Sequence, residues 1–508
     1  MPGPLLRMPG PPPATPAPAA NDTMLNPEQS KYTAQRIGFW DAFARRVQRL
    51  PALRRYYRGQ LARWFAFAIA PGARVLEIGS GTGDLLAALR PSVGVGIDFS
   101  GDMVRLAGKR HPELRFVQAD AHDFDLGEKF DAVICSDLIN DVWDVQAVLA
   151  RIAAHCHPAT RVFLNFYSNL WEGPRRVAEA LGLVERLLPQ NWLTVGDVTN
   201  LLYLANFEVI RHSREMMCPL PVPLAATLAN RYLVRPWPFS HLAITNVLVA
   251  RPRPEPAGDR EATVSVIVAA RNEEGNIPSI FDRLPQMGAG TELIVVEGHS
   301  KDGTYQAVER EIARRPGYPA RLFRQTGKGK GDAVRLGFSE AKGDLLMILD
   351  ADLTVAPEDL PRFYQAWLAG QGDFINGVRL VYPMEHQAMR FFNLLGNRFF
   401  SFAFSWLLGQ SIRDTLCGTK VLGRRDYQII AANRSWLGDF DPFGDFDLIF
   451  GAARFNLKIA DMPVRYGART YGETNIQRWR HGWLLLRMVW VALRRIKFAP
   501  GQEVTLHD

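Results

Sequence analysis

Two aspartates one residue apart, Asp350 and Asp352, follow the apolar run Leu345-Leu346-Met347-Ile348-Leu349. Such a run reads as a buried strand. Carboxylates just beyond a strand end can hold Mg²⁺ or Mn²⁺ against a diphosphate, because hard oxygen ligands suit hard cations. A basic glycine-rich stretch, Gly327-Lys328-Gly329-Lys330-Gly331-Asp332, precedes that strand and offers lysines and main-chain N–H groups to phosphate oxygens. In the other half, Val75-Leu76-Glu77-Ile78 breaks into Gly79-Ser80-Gly81-Thr82-Gly83. Glycine fits there because the backbone must turn sharply and let a ligand approach the main chain. The next apolar run ends in Asp98, placed to accept both hydroxyls of a ribose. Asp120 ends a third run and Ser136-Asp137 a fourth. The glycine-turn set around residue 80 suits an adenosyl ligand, and the Asp350/Asp352 set a metal-bound sugar nucleotide.

Elements must bring these residues to one edge of a sheet. At 508 residues the chain is long enough for two cores. Both halves alternate short apolar runs with helical periods, the pattern of parallel α/β sheets. Between them Arg251-Pro252-Arg253-Pro254-Glu255-Pro256 has the composition of a semi-rigid linker. The net charge of +8 fits phosphates or an anionic surface without arguing for nucleic acid. Four scattered cysteines with no CxxC point to a reducing compartment and away from a zinc site. The Pro- and Ala-rich start lacks the apolar core of a signal peptide, and no window is apolar enough to span a bilayer. The reading is cytoplasmic, with peripheral contact on the inner face of the membrane left open. Phe391–Leu408 and 479–498 mix aromatics with basic residues and suit either a bilayer interface or the protein's own core.

On the Glu77-x-Gly79-Ser80-Gly81-Thr82-Gly83 turn and the acids after it, residues 74–250 resemble the class I S-adenosylmethionine-dependent methyltransferases. A nicotinamide-binding turn would read G-x-G-x-x-G instead. The resemblance implies a Rossmann-like fold that holds S-adenosylmethionine through Glu77, Gly79, Ser80, Gly81, Gly83, Asp98 and Asp120. It leaves the methyl acceptor open, with His122, Asp137, Asp141 and Tyr167 as candidate bases. Leu201–Ile210 is similar to the family's late helix-turn-strand segment.

Residues 264–475 resemble the inverting family 2 glycosyltransferases of GT-A fold, especially the polyprenyl (dolichyl) phosphate mannosyl- and glucosyltransferases. The matching runs are Arg271-Asn272-Glu273-Glu274, Glu297–Thr304, Gly329–Ala333, Asp350-Ala351-Asp352, Asp414–Lys420, Gly444–Leu448 and Arg469–Asn475. The resemblance places Asn272, Glu273, Glu297 and Asp302 by the nucleotide, with Lys330 and Asp332 beside its pocket. It gives Asp350 and Asp352 the metal and diphosphate, Asp445 the acid-base step and Arg469 a phosphate. Two departures stand out: Glu297-Gly298 replaces a usual pair of aspartates, and Thr474-Asn475 replaces a usual Ser-Lys. Gln477-Arg478-Trp479 has the wrong spacing for the product-binding motif of processive synthases.

The expected organisation is therefore α/β in two domains. A disordered tail (1–29) precedes a methyltransferase-like domain (30–250), a linker (251–262), a glycosyltransferase domain (263–476) and an amphipathic basic segment (477–508). The expected activity is metal-dependent glycosyl transfer from a GDP- or UDP-linked sugar to a polyprenyl phosphate or a glycan or glycolipid acceptor, plus methyl transfer. The alternative makes the first domain a binding or scaffold module without turnover.

Overall fold

The computed structural model describes residues 27–47, 52–182, 186, 188–255, 261–379, 391–436, 444, 446–467, 469, 471 and 478–499. The tail expected at 1–29 lies outside them except for its last three residues, which open a helix, Pro27–Arg46.

The first seven strands form one sheet. They are β1 (Arg74–Ile78), β2 (Val93–Asp98), β3 (Arg115–Gln118), β4 (Phe130–Ser136), β5 (Cys156–Tyr167), β6 (Phe207–Glu215) and β7 (Thr245–Pro252), ordered β3-β2-β1-β4-β5-β7-β6. β1 to β5 run parallel, and β7 is antiparallel to both β5 and β6. Parallel strands are covered on both faces, which is why they read as continuous apolar runs. Leu76, Ile78, Val133 and Leu164 lie in the core on one face, and Val75, Ile134 and Phe163 on the other. The expected late segment is a helix, Val195–Leu204, followed by β6. Thr194 and Asp197 close that helix's first turn as a reciprocal capping box.

The second sheet comprises β8 (Thr263–Ala270), β9 (Gly290–Glu297), β10 (Ala320–Arg324), β11 (Leu345–Ile348), β12 (Phe374–Val378), β13 (Lys420–Gly423) and β14 (Ile459–Pro463). Its order is β10-β9-β8-β11-β13-β12-β14, with β13 antiparallel to both neighbours. Parallel order makes β8, β9 and β11 end on one edge.

The two sheets meet through buried charge. Arg161 on β5 donates to Asn456 O (2.8 Å) and pairs with Asp373 (2.6 Å). Arg251 on β7 pairs with Asp373 (2.7 Å) and Glu208 (2.6 Å). No helix among the described residues is long and apolar enough to cross a membrane. Phe391–Leu408 is helical, and so is Arg478–Ala492. Leu485, Met488 and Ala492 join the core with Phe404 and Leu407, while Trp483 (70 %) and Trp490 (54 %) are exposed. The last helix thus closes the core and presents aromatics outward.

Candidate functional sites

In the first domain the glycine turn follows β1, and all three glycines have positive φ, at 72°, 53° and 74°. A Cβ at Gly79 would strike Leu138 at 2.8 Å and one at Gly83 would strike Phe116 at 2.5 Å. One at Gly81 would meet only the Arg58 guanidinium, at 3.6 Å. Two glycines therefore serve close packing, and the middle one keeps the turn open to a ligand.

Glu77 is buried with its Oε2 unpartnered, and burial pushes its carboxyl up to about 8. An orphaned buried acceptor beside an open glycine turn fits a ligand that brings its own donors. Asp98 accepts from Gly81 N–H and Ser100 N–H, each at 2.9 Å. Burial raises it against those two bonds. Asp120 holds His122 through its main chain (2.9 Å) and Nδ1 (2.6 Å). Ser80 is buried with an unpartnered hydroxyl.

The four candidate bases separate by environment. Asp141 accepts from Arg36 (2.8 Å) and Trp40 (3.0 Å), so it ties down the N-terminal helix. His122 has Asp120 on one ring nitrogen and the Asp144 N–H on the other (3.1 Å). Burial drives Tyr167 far above the usual phenol range. Asp137, just past β4 with φ 56°, accepts from Tyr57 (2.9 Å) and Asn165 (2.6 Å). Burial pushes it up to about 6 despite those bonds. A carboxylate titrating near neutrality at the ligand edge of a sheet has the properties of a general base.

Sequence reasoning missed the helix Ala52–Ala68, which brings Tyr57 to Asp137 and Arg58 to Thr82 (3.5 Å). Its only signal was an aromatic and basic composition without a recognisable motif.

In the second domain the expected residues gather where β8, β9 and β11 end. Lys330 pairs with Asp350 at 2.7 Å. Arg469 bridges Asp352 (2.9 Å) and Glu273 (3.5 Å), linking two loops that are remote in sequence. Burial would raise Asp350, but Lys330, Lys420 and Arg379 outweigh it and hold the carboxyl below the usual range. Gly418 lies against it, where a Cβ would sit 1.9 Å from Asp350 Oδ2. Asp352 accepts from Thr354 N–H (3.2 Å) and hydroxyl (2.7 Å).

Other expected residues build the loops. Asn272, at φ 57°, accepts from Lys301 N–H (2.8 Å), and its own N–H donates to Ser300 (3.0 Å). Asp302 accepts from Glu274 N–H (3.3 Å) and Thr304 N–H (3.1 Å). Glu297 accepts from Ser300 N–H and lies 3.5 Å from Arg324. Asp332 accepts from Gly327 N–H (2.9 Å) and closes the basic glycine loop. Tyr471 packs so tightly on Gly275 that a Cβ there would lie 2.5 Å from its ring. Asp445 lies outside the described residues. Its neighbour Gly444 abuts Gly331, a Cβ meeting Gly331 Cα at 2.4 Å. Asp447, two residues on, is buried against Arg434 (3.0 Å) and Arg335 (3.3 Å).

Arg379 and Lys420, given no role from the sequence, set the charge behind Asp350. Arg379 forks onto Asp414 at 2.7 and 2.9 Å. Among the described residues no cluster of three or more His, Cys, Asp or Glu forms a metal cage. Two carboxylates that rely on substrate phosphates for further ligands are the arrangement Mg²⁺ commonly takes, so the residues fit a dication bound with a diphosphate.

Residues 52–212 match the family model described as a methyltransferase domain, and residues 265–427 match glycosyl transferase family 2. A dolichol-phosphate mannosyltransferase of Pyrococcus furiosus is 28% identical over 221 residues, covering 42% of this chain and 59% of the relative. The enzyme so named in Saccharomyces cerevisiae is 39% identical over 108 residues, 20% of this chain and 40% of the relative. An undecaprenyl-phosphate 4-deoxy-4-formamido-L-arabinose transferase of Aeromonas hydrophila is 32% identical over 111 residues, 21% and 34% of the two chains. The matches thus span under two thirds of the length of each of these relatives. Among solved structures, a glucosyl-3-phosphoglycerate synthase of Mycobacterium tuberculosis aligns with TM-score 0.35 at 21% identity, over 46% of this chain and 80% of that one.

Proposed function

We propose that this chain, which joins a methyltransferase domain to a family 2 glycosyltransferase domain, transfers a sugar from a nucleoside diphosphate to a polyprenyl phosphate. The single observation that carries the reading is the Asp350/Asp352 pair at the end of β11, balanced by Lys330 and Arg469. The names of the P. furiosus and A. hydrophila relatives support a lipid-phosphate acceptor.

Asp350 and Asp352 would hold a dication, which would supply positive charge to the leaving diphosphate. Lys330 and Arg469, paired with the two carboxylates, are the cations that would meet the donor's phosphates. Glu273, Glu297, Asn272 and Asp302 line the nucleoside side. The acceptor oxygen attacks the anomeric carbon. The bond to the diphosphate breaks with inversion, and the nucleoside diphosphate leaves with the electron pair. A phosphate acceptor is already ionised and needs no base, whereas with a sugar hydroxyl Asp445 takes the proton.

The Gly79–Gly83 turn, Glu77 and Asp98 would hold S-adenosylmethionine, which would supply the methyl group, and Asp137 is placed to take the proton of the methyl acceptor. We place the protein in the cytoplasm, with peripheral contact on the inner face of the membrane that a lipid acceptor would require.

The test is label transfer from GDP-mannose, UDP-glucose and UDP-N-acetylglucosamine to polyprenyl phosphate with Mg²⁺ or Mn²⁺. Organic-phase label from one donor establishes the reading and names the sugar. No organic-phase label, with nucleotide still bound, overturns the lipid acceptor in favour of a hydroxyl. Calorimetry of the whole chain with S-adenosylmethionine separates a methyl-transfer domain from a scaffold, which would bind none.

A further inference from the structure

A cavity of about 290 Å³ opens where β6 of the first domain meets the helices closing the second. None of its lining residues belongs to either strand-edge site. Arg63, Arg211, Arg231, Arg235 and Lys497 all line it, and among the described residues Glu215 is the one carboxylate on its wall. Arg235 takes that carboxylate at 2.5 Å, yet its buried Nε has no partner. The buried Nε of Arg211 is also unpartnered, and its guanidinium lies 5.5 Å over Trp64. Arg231 donates to Phe498 O (2.8 Å) and Lys497 to Trp406 O (2.8 Å), so neither forms a direct ion pair among the described residues. Five cations from both domains therefore converge on one concave space with one anion among them.

Burial holds Arg211 down at about 10, with Glu215 opposing the shift and Arg235 adding to it. Burial and then Arg235 push Lys497 down to about 8, with Glu215 opposing and Arg211 adding to the shift. Concentrated like charge is costly unless an anion joins it, and planar guanidinium groups match phosphate oxygens in pairs.

The neighbouring surface is apolar. Leu224 (85 %), Leu228 (55 %), Tyr232 and Leu233 are exposed in the segment forming one wall, and Trp406 is exposed on the other side. Tyr232 and Trp406 both pack on Phe498, with ring centroids at 5.2 and 6.5 Å. Cations in the recess with hydrocarbon-compatible side chains around it match an amphiphile whose head is anionic.

We infer that this interdomain cavity binds the phosphate head of a membrane lipid, fixing both domains on an anionic bilayer at a place separate from either nucleotide site.

The test floats the full-length protein with vesicles of phosphatidylcholine alone or doped with phosphatidic acid. A parallel arm follows the melting temperature with added inorganic phosphate. Expected are flotation with phosphatidic acid only, and an affinity loss of about fivefold for each of Arg63→Gln and Arg231→Gln. Both variants should melt as the parent does, and Arg231→Lys should restore binding only in part, keeping the charge but not the paired geometry. Arg494→Gln is the surface control, since Arg494 is exposed and absent from the cavity wall. An equal loss in Arg494→Gln means diffuse attraction and overturns the site. Stabilisation by inorganic phosphate without flotation overturns the lipid in favour of a soluble phosphate. Unchanged flotation in both cavity variants overturns the proposal outright.

Discussion

At the scale of single residues, the two sites treat carboxylates in opposite ways. Asp350 is held ionised by three cations, whereas Glu77 and Asp137 are driven toward the neutral form by burial. Asp350→Asn and Asp352→Asn should each cut sugar transfer by about 10²–10³, the usual cost of losing a group aimed at developing charge. Labelled transfer checks this, with an unchanged melting temperature excluding misfolding. The pH behaviour of Glu77 has a definite sign. Burial lifts its pKa from the ordinary 4.5 to about 8, so the fold binds the proton more tightly. That stability is full below about 4.5 and is lost as pH rises to about 8, levelling above. Glu77→Gln should therefore flatten this decline and stabilise the unliganded protein near pH 8 by a few kcal/mol, on the order of the shift. Chemical denaturation across pH measures it, and calorimetry should show weaker S-adenosylmethionine binding by the same variant. If Asp137 is the methyl-transfer base, the rate should rise through pH of about 6 as it ionises, and Asp137→Asn should abolish that rise.

At the scale of elements, the loops after the strands carry the unusual backbone. Asp137, Asn272, His299 and Leu353 all have left-handed φ, between 54° and 57°, each shortly after a site-forming strand. Such conformations cost a non-glycine residue about 1–2 kcal/mol, so surrounding bonds must hold them. The Asn272 and Asp302 bonds do this between the β8 and β9 loops. The strand ends and glycine turns were legible in the sequence because apolar period and glycine spacing are local signals. The helix Ala52–Ala68 over the glycine turn was not, because its role depends on Tyr57 meeting Asp137, 80 residues on. The loop before β13 is pinned by the Arg379–Asp414 fork, whose two side chains are almost fully buried. Arg379→Met should destabilise by roughly 3–5 kcal/mol, since it strands a buried carboxylate. A urea melt reads that loss directly.

At the scale of the molecule, the two domains share a charged seam rather than a loose connection. Asp373 faces both Arg161 and Arg251, and Lys458 pairs with Glu208 across the same seam. Asp373→Asn should leave two buried guanidinium groups short of charge and weaken domain coupling by roughly 3–5 kcal/mol. Scanning calorimetry should then split one unfolding transition into two. The sequence by itself determined the strands, the turns and the kinds of residue at their ends. Those follow from nearest neighbours along the chain: continuous apolar runs, glycine where φ must be positive, carboxylates after a buried run. Only the tertiary structure decided which charges meet. Arg469 reaches Asp352 from 117 positions away, and Asp98 spends both oxygens on main-chain N–H groups. Five cations from two domains surround one cavity. Those pairings depend on how sheets and helices pack, and residues distant in sequence leave no periodic trace of where they will be neighbours.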